Sequence, residues 1–149
     1  MRTIERLRRS GVSLGPDRPI RDAAALMQYA GVGALAVVDG DRLAGIVTDR
    51  DLVRRAMAHG LSLDARVDAV MSTPVVTIDA DDDLDAAFAV FRTHGIRRLA
   101  VVREKQFVGM ITIDDLLIDL AAHLTDLSRP VIAEVIFGAH DNPVPSVQS

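Results

Sequence analysis

Two short motifs place a hydroxyl three residues ahead of a carboxylate: Thr48-Asp-Arg-Asp51 and Thr112-Ile-Asp-Asp115. An ionised carboxylate only accepts hydrogen bonds and can take two hydroxyl protons. A threonine at a helix start adds to backbone N–H groups that already favour anions. The same spacing also fits a capping box, which stabilises the helix it opens by about 1 kcal/mol, and the two roles are compatible. Arg97 and Arg98 form a second suggestive pair, because their planar donor forks suit phosphate or carboxylate, although a solvated pair or an ion pair with Asp81-Asp82-Asp83 is the plainer alternative. Arg50, inside the first Thr-x-x-Asp, could reach a ligand or a second subunit. With no Cys there is no thiol nucleophile, disulfide or Cys-based metal centre. His59, His94, His123 and His140 lack ligand spacing, and no Walker A loop, nucleophile elbow, H-E-x-x-H or G-x-G-x-x-G occurs. No catalytic residue, metal ligand or required cofactor is assigned.

The elements that must hold these motifs are duplicated. Sliding the chain over itself by 64 residues lays Gly31-Val-Gly-Ala-Leu-Ala-Val-Val38 on Gly95-Ile-Arg-Arg-Leu-Ala-Val-Val102, and Gly45 to Leu52 on Gly109 to Leu116. From Ser10 to Val53 against Pro74 to Leu117 there are 13 identities in 44 positions without a gap. Each copy reads as a short strand (Val12 to Leu14; Val75 to Ile78), then a helix with apolar residues at helical spacing. Asp17 and Asp81 are expected as N-caps, and Gly31 and Gly95 as left-handed C-terminal residues. The β-branched runs Leu35 to Val38 and Leu99 to Val102 suit strands buried on both faces. An Asp39-Gly40 hairpin turn, strands Leu43 to Val47 and Phe107 to Ile111, and helices near Asp49 to Ala58 and Ile113 to Leu124 complete the unit. The expected fold class is α+β (α/β), with β-α-β-β-α twice as a pseudo-twofold pair.

Composition agrees with such a chain and narrows its partners. The 149 residues are 49% hydrophobic and 26% charged, as in globular proteins with a real core. One Tyr, four Phe and no Trp make a thin core for about 60 residues, so the copies are expected to pack on each other. A formal charge of −4 argues against general nucleic-acid binding, leaving any anion site local. Arg2, Arg6, Arg8 and Arg9 are interrupted by Glu5 and followed by no signal-like apolar run. No stretch reaches the roughly 20 apolar residues of a membrane span, so a cytoplasmic protein is expected.

The combination of Val-Met-Ser-Thr-Pro-Val-Val-Thr-Ile at 70–78, His-Gly-Ile-Arg-Arg-Leu-Ala-Val-Val at 94–102 and Gly-Met-Ile-Thr-Ile-Asp-Asp-Leu at 109–116 resembles the signatures of a tandem pair of CBS domains, a Bateman module. The resemblance covers about residues 3–124 and is nearest to short stand-alone bacterial CBS-pair proteins. Gly-Ala-Leu, Asp-Arg-Leu and Thr-Asp-Arg-Asp in the first copy are similar to its hypoxic-response group. Two departures stand out. Ala36 and Ala100 occupy positions where the family often has Pro, and Leu7 to Ser10 replaces the Met-Thr-Pro opening of the first copy.

The resemblance implies repeats at 3–62 and 66–125, and an extension at 126–149. The apolar stretch Val131 to Phe137 could cover the module, pair with a second subunit or dock a protein, and a mobile tail is expected from about residue 142. It implies a non-catalytic homodimer that senses an adenosine-containing ligand (AMP, ADP, ATP or S-adenosylmethionine) in clefts between repeats. The Asp of each Thr-x-x-Asp, Asp51 and Asp115, would accept from ribose hydroxyls, with Thr48 and Thr112 close to a phosphate. Arg98 would contact a ligand phosphate, with Arg97, Arg50, Thr73 and Val76 completing the candidate set. Gly33 and Ala34 stand where the second copy has Arg97 and Arg98, so the second cleft is favoured, and the first is expected to offer room without charge. The rival reading is a ligand-free dimeric module that regulates a partner protein.

Overall fold

A computed structural model of the chain describes residues 3–132, with side chains described through Thr125. The extension's residues beyond Ile132, including most of Val131 to Phe137 and the tail from 142, lie outside the described residues. The chain forms two compact units, Met1–Ile113 and Asp114–Ser149.

The first unit holds two three-stranded sheets of one topology. After α1 (Ile4–Leu7) come β1 (Ser13–Leu14), α2 (Ile20–Ala30), β2 (Ala34–Asp39) and β3 (Arg42–Thr48). A single turn, α3 (Asp49–Asp51), then leads through a π-helical turn at Leu52–Ala56 and 3-10 turns at Met57–His59 and Val67–Ala69. The pattern returns as β4 (Thr77–Asp79), α4 (Leu84–His94), β5 (Arg98–Arg103) and β6 (Gln106–Thr112). The second unit contains α5 (Ile113–Ile132) from Asp114 onward, a longer helix than the run to Leu124 expected from periodicity. In each sheet the central strand pairs in parallel with the first and antiparallel with the last. Central strands are walled on both sides, so Leu35, Ala36, Val37, Leu99, Ala100 and Val101 are all 0% exposed.

Helix ends follow local stereochemistry. Gly31 and Gly95 take φ of 66° and 61°, and their N–H groups bond the carbonyls of Met27 and Phe91. The expected N-caps were misplaced. Pro19 precedes α2 without a side-chain cap, and Asp83 caps α4 by accepting from the Ala86 N–H at 2.9 Å. A capping oxygen must stand directly ahead of the first helical residue to reach that N–H. Asp81 lies two residues too early and instead approaches Arg103 at 3.5 Å, while Asp17 is exposed. The helix expected at Asp49 to Ala58 is not regular: the Met57 N–H bonds the Leu52 carbonyl five residues back, and Gly60 ends the passage at φ 67°.

The two halves are laced together by exchanged segments. Ile4 and Glu5 donate backbone N–H groups to the carbonyls of Asp82 and Ala80 at 3.1 and 3.0 Å. Val67 and Asp68 donate to those of Arg18 and Pro16 at 2.8 and 3.1 Å, the matching bonds on the other half. Further along, Arg9 and Met110 exchange two bonds at 2.9 and 3.0 Å, and Ser72 and Ile46 two at 2.8 and 3.1 Å. Each leading segment thus docks on the opposite sheet, as a pseudo-twofold pair requires. Arg9 corresponds to Ser72, a spacing of 63, whereas Ser13 and Thr77 correspond at 64. The gapless alignment is therefore corrected: the second copy carries one extra residue between Thr73 and Val76.

Candidate functional site

The straps and strands enclose a cleft of about 270 Å³ lined by Ile46, Thr48, Ser72, Pro74, Val75, Val76, Ile96, Arg97 and Arg98. Its walls are chiefly apolar, so a flat uncharged ring could stack there, and the guanidinium groups supply the positive charge. Arg98 opens β5, where it pairs with Thr112 across the ladder. The Ile113 N–H donates to the Arg97 carbonyl at 3.0 Å, and Asp115 follows two residues later in the first turn of α5. Both arginines are exposed, Asp115 half-buried.

Four of the nine expected residues therefore share one cleft: Thr48, Val76, Arg97 and Arg98. Thr48 belongs to the first copy in sequence, yet it lines the cleft built mainly from the second, because β3 lies beside the Ser72 strap. Thr73 is on a neighbouring cavity instead. Arg50, Asp51, Thr112 and Asp115 are not in the lining. Ser72, Pro74, Val75, Ile46 and Ile96 also line the cleft without having been singled out. The first three stand inside the 70–78 signature, where the signal was available.

The first Thr-x-x-Asp forms a complete capping box. Thr48 Oγ1 accepts from the Asp51 N–H at 3.1 Å, and Asp51 Oδ2 accepts from the Thr48 N–H at 2.9 Å. Arg55 lies 3.7 Å from Asp51 and donates to the Met71 carbonyl at 3.1 Å, which ties the cap to the segment ahead of Ser72. The first copy's strand start also differs from expectation. There the Asp49 N–H bonds the Gly33 carbonyl at 2.9 Å, and the space beside Gly33 is bounded by the Asp49 carboxylate. The corresponding position of the second copy is Ile113, so the first copy presents negative charge where the second presents Arg97 and Arg98.

A protein-family model of the CBS domain matches residues 4–58 and 67–122. The chain belongs to the CBS-domain family. Among curated relatives, CBS domain-containing protein YhcV of Bacillus subtilis is 36% identical over 107 residues, 72% of this chain and 76% of that one. Hypoxic response protein 1 of Mycobacterium tuberculosis is 31% identical over 126 residues, 83% of this chain and 88% of the relative. The CBS domain protein PAE2072 from Pyrobaculum aerophilum, solved as a complex with AMP, superposes with a TM-score of 0.69 and 30% identity, covering 82% of this chain and 99% of that structure. Among the described residues no helix is long and apolar enough to cross a membrane, and no group of three or more His, Asp or Glu stands together as a metal site would need.

Proposed function

We propose that this CBS pair is a non-catalytic cytoplasmic regulator that binds an adenosine nucleotide in the cleft of Thr48, Val76, Arg97 and Arg98, and that it works as a homodimer. The observation carrying this reading is the charge difference between the copies: two arginines at one strand start, the Asp49 carboxylate at the other. A cationic pair favours a phosphorylated nucleoside over S-adenosylmethionine, whose sulfonium carries the wrong sign. Arg98 meets the phosphate at the start of β5, and the Thr48 hydroxyl lies in the same cleft. The AMP complex of PAE2072 supports the ligand class. A sensor acts by favouring one arrangement of its repeats, so the ligand must bind the two arrangements unequally.

The capping box at Thr48 and Asp51 favours a second reading, a ligand-free module in which Thr-x-x-Asp only opens helices. Calorimetric titration with AMP, ADP, ATP and S-adenosylmethionine separates the two. The sensor reading expects saturable nucleotide binding that weakens about tenfold or more in Arg98→Ala, a loss corresponding to at least one charged hydrogen bond. Heat-silent titrations of all four ligands at millimolar concentration would leave the ligand-free module standing.

A further inference from the structure

We propose a separate oxyanion site on the far side of the Thr73–Val75 segment, in a cavity of about 370 Å³ lined by Arg42, Thr73, Thr77 and Lys105 over a floor of Leu43, Pro74 and Val75. This cavity shares only Pro74 and Val75 with the nucleotide cleft and contains neither Arg97 nor Arg98. Its polar groups come from both repeats: Arg42 begins β3, whereas Lys105 stands in the β5–β6 turn at φ 67°.

The repeat provides an internal control. At the corresponding place in the other half, Phe107 replaces Leu43, and its ring fills the space a Cβ on Gly11 would take. One half is plugged by an aromatic ring, and the other is left open. The charges differ in the same sense, since Arg42 and Lys105 correspond to Gln106 and Asp41 at the spacing of 64. Cavity and cations thus occur together on one side, where Thr73 and Thr77 add hydroxyl donors. Among the described residues the side chains of Arg42 and Lys105 make no hydrogen bond or ion pair, although Asp39, Asp41 and Glu104 are near them in sequence. A guanidinium, an ammonium and two hydroxyls around an open cavity suit a tetrahedral oxyanion such as phosphate.

The oxyanion could be free phosphate or the phosphoryl end of a nucleotide, and amide NMR of the full chain distinguishes them. Inorganic phosphate alone is expected to shift the amides of Arg42, Thr73, Thr77 and Lys105 saturably. The Arg42→Gln/Lys105→Gln double variant should weaken that binding about tenfold or more, and Arg98→Gln should leave it unchanged. Both cations are exposed on hairpins, so a dispersed spectrum of the variant verifies folding. Absence of saturable shifts, or shifts that persist in the double variant, overturns the site whether or not AMP binds the cleft. If AMP binding leaves the phosphate shifts in place, the ion is separate; if AMP competes with phosphate at these four amides, the phosphoryl group is the occupant.

Discussion

Glu5 holds the first residues of the chain to the second sheet. Its carboxylate accepts from Arg8 Nε and Nη2, both at 2.9 Å, and from Arg103 Nη2 at 3.1 Å, while Arg8 Nη1 reaches the Val108 carbonyl at 2.7 Å. The hydrogen bonds from Arg8 foremost hold the Glu5 carboxyl below its ordinary range; desolvation, the next largest effect, opposes them, and the charges of Arg103 and Arg8 add to the lowering. Because the folded value is depressed, the contribution is fully present above the unfolded value and disappears as pH falls through the lowered one. Glu5→Gln should therefore lower Tm modestly at neutral pH, and the gap to the parent should close in acid below the usual carboxylate range. A gap independent of pH, seen in thermal melts across that range, would show that packing and not charge carries the clamp. Arg103 and the Val108 carbonyl, which tie the Glu5–Arg8 pair to the second sheet, stand about a hundred positions away and leave no mark in local spacing, so by sequence Glu5 is only an interruption in a basic segment.

At the scale of elements, the exchange of leading segments explains the glycine that opens each G-h-h-T-x-x-D. The Arg9 strap crosses so close to β6 that a Cβ on Gly109 would collide with the Arg9 carbonyl. On β3 a Cβ on Gly45 would first meet the Met71 side chain, with the Ser72 carbonyl 3.0 Å away. Thioether carbons can turn aside where a backbone carbonyl cannot, so Gly109→Ala should destabilise more than Gly45→Ala. The expected costs are about 2–3 and 1–2 kcal/mol, from overpacking and loss of the paired strap bonds. Urea unfolding of the two variants checks the order, and equal costs would mean that the straps yield alike. Sequence periodicity recovered the strands and the C-terminal glycines, because burial on both faces and φ above zero leave local marks at Leu35 to Val38, Gly31 and Gly95. It missed the straps, which pair with residues of the opposite repeat and show no alternation of their own. The second hairpin turn went unread for a related reason: Glu104 and Lys105 adopt φ of 51° and 67° without the Gly that betrays the first. Half the candidate site was legible for the same cause, since Arg97 and Arg98 differ visibly from Gly33 and Ala34, whereas the Asp49 carboxylate beside Gly33 arises only from the fold.

For the whole molecule, the decisive question is what covers the apolar faces. Between α2 and the Asp49–His59 passage lies a groove of about 390 Å³ whose lining includes Met27, Leu52, Val53, Met57 and Leu63. Met57 is 70% exposed and Val53 55%. An open apolar patch of this kind suits a twofold dimer, in which it can meet its own kind on the partner. Association through such faces would also connect ligand and assembly. The Thr48–Asp51 cap immediately precedes the turns that carry Val53 and Met57, so a nucleotide that engages Thr48 would act close to the proposed dimer surface. Met57→Glu places a charge in that surface while leaving the fold's buried residues intact. Sedimentation velocity should find the parent as a dimer and the variant shifted toward monomer, with dissociation constants at least tenfold apart, since about 1.4 kcal/mol or more is lost on burying an unpaired carboxylate. A parent that sediments as a monomer, or a variant that stays dimeric at equal concentration, would assign these faces to some other contact and detach the sensing cleft from self-association.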